Sequence, residues 1–176
     1  MQCLPSFVFC YFRSFTVGLV NIMQASPVPV QFLTLEEVQA IDRAMLSPMA
    51  KFMTRITVSS LRVIQKIAAE LGVHAEELEA IQIVQWVERD SLIRKEQGSL
   101  SAFLQWNANH PDLDFEDTRQ DLVTSAQLSS HEKFLTRMVI SAMQVLSTIA
   151  KDSQTHIEDL TTNQIVNWTE RNPEGM

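Results

Sequence analysis

From Met49 onward, apolar residues return at steps of three and four: Phe52, Met53, Ile56, Val63, Ile64, Ile67 and Leu71. The same rhythm recurs further on, through Phe134, Leu135, Met138, Val145, Leu146 and Ile149. One apolar face per 3.6 residues predicts two amphipathic helices of about six turns each. Midway along each stripe, where a large side chain would continue the pattern, stand Ser60 and Ala142, small enough to let a second helix cross closely. Each stripe ends in a polar turn, "ELGVHAEEL" or "DSQTHIEDL". His74 and His156 occupy the expected N-cap of a following helix, with Glu77 and Asp159 three residues on to complement its N-terminus. That second helix carries Leu78, Ile83, Val84 and Trp86 in one place and Leu160, Ile165, Val166 and Trp168 in the other.

The two stretches are one unit written twice. A shift of 82 residues aligns Leu46–Asp90 with Leu128–Asn172 without a gap, and 19 of the 45 positions are identical, against about three expected by chance from typical composition. A lone two-helix hairpin cannot bury its apolar face, whereas two copies facing each other can. The expected fold is therefore all-α: a duplicated helical hairpin packed as a pseudo-twofold bundle with flanking helices, forming a single domain over residues 23–176 with a spacer at 91–127. On the second helix of copy one, Leu78 and Trp86 lie on one side while Ile83, Val84 and Val87 lie round the other, so something must cover a second face. "TLEEVQAIDRAML", opened by the Thr34/Glu37 capping-box pattern, is one expected cover, and "SLSAFLQW" with "FEDTRQDLVTSAQ" are further expected helices. The stretch "NANHPDLDFED", with Pro111, is the expected loop. A face left bare would be a dimer or partner interface.

The first 22 residues break the pattern. They are apolar and aromatic, but Arg13 in mid-segment and Pro5 disfavour a membrane span, and no basic stretch precedes the apolar run as in a secretory signal. Segment 1–22 is expected to lie outside the fold, with Met23 as an alternative start. The two cysteines, Cys3 and Cys10, fall inside it, so the body needs no disulfide and suits a reducing, cytoplasmic setting. A net charge of −7 and a mean hydropathy of −0.01 fit a globular protein that neither spans a membrane nor makes its living on a polyanion.

Candidate chemistry is sparse. "IAAELGVHAEEL" has the outline of a helix-turn-helix, but Glu76, Glu77 and Glu79 would face the phosphates, and the second copy has Gln154 in place of Gly72. Lys51, Arg55, Arg62 and Lys66 form a basic stripe on the first helix, of which copy two keeps Lys133 and Arg137; a solvated face is the ordinary explanation. His74 with Glu76, and His156 with Glu158, suit zinc by residue type. Two residues apart is the wrong helical spacing for a shared ion, so no metal or cofactor is expected unless the two turns meet. "DLDFEDTRQD" lacks the glycine and closing glutamate of a calcium loop, and no P-loop, dinucleotide fingerprint or nucleophile motif occurs. What recurs instead is "IVQWVERD" and "IVNWTERN", placing Trp86, Arg89, Trp168 and Arg171 as candidate partner-binding residues of the types enriched in interface hot spots, against the plainer role of core anchors with solvated ends. The functional expectation is a non-catalytic adaptor or regulator that binds a protein partner or itself. A DNA-binding regulator and a helical metalloenzyme are the alternatives.

Overall fold

The computed structural model describes residues 33–104 and 121–172; segment 1–22, Met23, the whole of the expected loop with Pro111 and the first part of the third flanking helix lie outside the described residues. Among the described residues every regular element is helical. Helix α1 (Leu35–Arg43) starts at the Thr34/Glu37 capping box, whose two arms are both formed. Helix α2 (Pro48–Leu71) and helix α5 (Ser130–Ser153) are the two long stripes, 24 residues each. Ser47 and Ser129 cap them, and Pro48 sits in the first turn of α2, where its missing N–H is harmless. A single 3-10 turn follows each: Ala75–Glu77 before helix α3 (Ala80–Gln97), and Ile157–Asp159 before helix α6 (Thr162–Arg171). Helix α4 (Leu122–Ser125) is one turn long.

Helices α2 and α5 pack mainly against each other at the centre. Ser60 and Ala142 are both buried there, as their small size anticipates. Around them Leu61, Ile64, Ile67, Ile83, Leu146, Ile149 and Ile165 are almost wholly removed from water, each such burial stabilising by about 1.5–3 kcal/mol. The middle of α2, from Thr57 to Leu61, is buried on all sides. Buried threonine hydroxyls here and one turn earlier bond back along the helix, Thr54 to the Ala50 carbonyl at 2.7 Å and Thr57 to the Met53 carbonyl at 3.0 Å.

Contacts recur in pairs offset by the repeat length. The Met45 N–H donates to Glu170 Oε1 at 2.8 Å, and the Gln127 N–H donates to Glu88 Oε1 at 2.7 Å, so each copy's final glutamate holds the chain leading into the other copy's long helix. Trp86 Nε1 donates to Glu70 at 2.6 Å and Trp168 Nε1 to Asp152 at 2.7 Å. Lys51 Nζ reaches the Asp42 carbonyl and Lys133 Nζ the Thr124 carbonyl. The last pair extends the correspondence upstream: α4 stands to α5 as the end of α1 stands to α2.

Three local expectations are corrected. His74 and His156 are N-caps, but of 3-10 turns and not of the second helices, and neither offers a side-chain cap, although the Glu77 carboxylate accepts the His74 N–H at 3.3 Å as the spacing anticipates. Helix α3 starts only at Ala80, where the Gln82 side chain accepts the Glu79 N–H at 2.8 Å. The described part of "SLSAFLQW" is also not a helix. Gly98, at φ 91, ends α3, and the buried Asp90 carboxylate then accepts the N–H groups of Phe103 at 2.7 Å and Leu104 at 3.1 Å, satisfying donors that a helix would have turned inward to its own carbonyls. The second face of the bundle is nonetheless covered, by Ile41 of α1 and by Leu104, Val123 and Ala126 from the spacer.

Candidate functional site

Among the described residues, two places on the surface gather polar side chains against the core. The first is a groove of about 280 Å³ between the end of α2, the middle of α3 and the 101–103 turn. Phe103 meets Trp86 edge to face, ring centroids 5.8 Å apart, and Lys66 Nζ lies 5.8 Å from the centre of the Phe103 ring. Glu70 collects the polar groups: the Trp86 indole N–H, Lys66 at 3.0 Å and Arg89 at 3.2 Å. The Trp86 hydrogen bond, with those cations, holds the Glu70 carboxyl below its ordinary value.

Trp86 is 4% exposed and Trp168 5%, so both rings are core anchors, while Arg89 and Arg171 are exposed. The two ends differ in chemistry. In copy two the acid is the shorter Asp152, which takes the indole N–H of Trp168, and Arg171 folds back on its own helix, donating to the Asn167 carbonyl at 3.1 Å. Only copy one therefore joins Trp, Glu, Lys and Arg into one groove wall.

The basic stripe is engaged along its length. Lys51 and Arg55 bind Asp42, through its carbonyl and its carboxylate respectively, Arg62 pairs with Glu37 at 2.6 Å, and Lys66 pairs with Glu70. The first three tie α1 to α2. Burial opposes the Glu37 charge, but the Thr34 N–H, the Thr162 hydroxyl and Arg62 outweigh it and leave the carboxyl below its ordinary value.

The second place is where the two 3-10 turns meet. His74 Nδ1 lies 2.7 Å from Glu158 Oε1, and His156 Nδ1 lies 3.5 Å from Glu76 Oε1. The imidazoles stack, centroids 5.5 Å apart and planes 20° off parallel. One donor atom from each of His74, Glu76, His156 and Glu158 falls within 4.8 Å of all the others. The condition on which the sequence allowed a shared site, that the turns come together, is met. The hydrogen bond to Glu158 raises the His74 pKa. On Glu158 burial opposes charge, but His74 and the backbone N–H groups of Glu158 and Ala75 prevail and lower the carboxyl value.

A buried ionic knot, with no counterpart in the sequence expectations, links the copies elsewhere. Arg94 bonds Asp90 at 3.1 Å and Glu132 at 3.0 Å, all three side chains less than a tenth exposed. Burial works against the Glu132 charge, yet the Ser129 N–H and hydroxyl and the Arg94 cation hold its carboxyl low. Asp90 and Arg94 are four apart on α3, a spacing that a helix brings together, but no spacing rule reaches Glu132, which lies far off in sequence on α5.

Compared with known proteins, the chain matches a family model described as "NDH complex assembly factor CRR9" over residues 33–112 and 113–175. Each matched segment contains one copy of the hairpin. No curated protein and no solved structure matches the chain.

Proposed function

We propose, from the premise that the chain belongs to the NDH complex assembly factor CRR9 family, that it is a non-catalytic adaptor which binds a protein component of an NDH complex while that complex is being put together. The family match across both copies carries this reading. The chemistry of the molecule supports it. The polar groups described above are arranged to tie helices together, and among the described residues no helix is long and apolar enough to cross a membrane. Partner contact is assigned to the groove beside α3, with exposed Arg89 as its charged contact and Trp86 as the positioning residue that fixes Glu70 beneath it. Arg171 is assigned a lesser share, because Asp152 leaves it without the equivalent wall. The paired contacts between copies support an approximate twofold arrangement that holds this groove rigid.

The test is a strain in which the chain is removed or replaced by an Arg89→Glu variant, with NDH complex followed on native gels. The proposal expects loss of the full complex and build-up of a smaller assembly to which tagged wild-type chain binds, and weaker binding by the variant at unchanged helicity. Normal amounts of complete complex without the chain would overturn it.

A further inference from the structure

We propose that His74, Glu76, His156 and Glu158 form a four-ligand site for a zinc ion at the junction of the two repeats. Charge and donor type fit that ion. Two neutral imidazoles and two carboxylates carry a formal charge of −2, which one divalent ion neutralises, and mixed nitrogen and oxygen donors favour zinc over calcium or magnesium, whose sites are built from oxygen.

Geometry takes it further. Within one copy, His and Glu two residues apart cannot close on one ion from the same helical face. Here each pair sits at a 3-10 turn and the turns face each other, so the four donors come within 4.8 Å. Tetrahedral zinc with bonds of about 2.0–2.2 Å sets its donors roughly 3.3–3.6 Å apart, and closing the remaining gap asks only for side-chain rotation. The histidine side chains are 66% and 65% exposed, so water rather than packed core borders most of each ring. Their backbone is not free: the neighbouring Ala75 and Ile157 are 0% and 1% exposed.

The carboxylates are also prepared. The Ile157 N–H donates to Glu76 Oε1 at 2.8 Å, fixing that side chain from outside as ligands of bound metals are commonly fixed. Glu158 is held likewise, its carboxyl steadied by the Ala75 N–H while Oε1 lies 2.7 Å from His74 Nδ1. Binding would exchange the His74–Glu158 hydrogen bond for two bonds to the metal, and any proton shared there would leave to solvent. An ion held this way ties the copies together at the end of the bundle where the long helices terminate.

The experiment uses the full chain, stripped of metal, titrated with zinc chloride in a calorimeter and with cobalt chloride in a spectrophotometer. The expected result is one ion per chain, visible cobalt bands of four-coordinate intensity, and a melting temperature several degrees higher with zinc. The His74→Ala/His156→Ala double variant is expected to lose at least tenfold in affinity, whereas His131→Ala keeps it. If the double variant folds poorly, the imidazole signals of the wild-type chain decide: one equivalent of zinc must shift those of His74 and His156 together and leave the other two histidines alone. No zinc uptake, or uptake unchanged in the double variant and without shifts at those two rings, overturns the proposal and leaves two ordinary His–Glu ion pairs.

Discussion

Trp168 and Arg171 lie three residues apart on α6, yet they stand at opposite ends of what a substitution can do. The Trp168 ring is inside the core with its N–H on Asp152, so Trp168→Ala is expected to cost about 3–5 kcal/mol. Arg171 rests on the surface, and Arg171→Ala should change stability by no more than about 0.5 kcal/mol; urea unfolding of both variants checks the contrast. Glu132 makes a pH-dependent contribution. Its folded carboxyl sits below the ordinary value of 4.5, so the unfolded chain takes up that proton first as pH falls. The stability it confers is complete above 4.5 and is lost as pH drops toward the lower folded value. Glu132→Gln should therefore lower the melting temperature at neutral pH, at a cost of about 1.5–3 kcal/mol because Arg94 keeps Asp90 as a partner, and flatten its decline in a melting series between about pH 5 and pH 3. A steeper decline in the variant would contradict this. The anchoring role of the tryptophans was legible in the sequence because periodicity reports burial. Their acidic partners were not, since Glu70 and Asp152 lie sixteen residues away across a turn, and Arg94 was not, since a helix-end arginine ordinarily points to water.

At the scale of elements, periodicity reports both long helices and the small residues at their crossing, and spacing reports the Thr34 cap, although Met49, Phe52, Leu71 and Phe134 of the apolar stripes stay exposed. Neither reports boundaries set by tertiary hydrogen bonds. Nothing local announces that Asp90 will draw the 101–104 segment out of helix by accepting two of its amides. The ends of α2 and α5 supply a sharper test, because they share one backbone and differ in residue. The C-cap is left-handed in both, Gly72 at φ 68 and Gln154 at φ 52. The residue after each cap donates to the carbonyl five positions back, Val73 to Ala68 at 3.2 Å and Thr155 to Ala150 at 3.0 Å. Glycine adopts that conformation without strain, and a side chain does not. Gln154→Gly is expected to stabilise by roughly 0.5–1 kcal/mol, and Gly72→Ala, which meets nothing in space within 4 Å, to destabilise by about 1 kcal/mol through backbone strain alone. Equal signs for the two changes would contradict the equivalence of these termini.

For the whole molecule, everything depends on how the two copies face each other. The exchanged glutamates, Glu88 on Gln127 and Glu170 on Met45, and the meeting of the two turns follow from that one relation. Repetition in the sequence announces two units but carries no information about which ends touch, so the meeting of His74 and His156 is visible only in the folded chain. The adaptor role depends on the same relation, because a groove wall built on α3 is rigid only if α5 braces it from the other copy. The imidazoles supply the most direct measurement. The chain has only four histidines, so their ring protons can be assigned by single substitutions in the full-length protein. Stacked rings with centroids 5.5 Å apart predict a nuclear Overhauser effect between His74 and His156 that persists on dilution and is absent between differently labelled chains when they are mixed. Rings that show no such effect, in a chain that is folded and helical, would contradict the face-to-face packing of the two repeats.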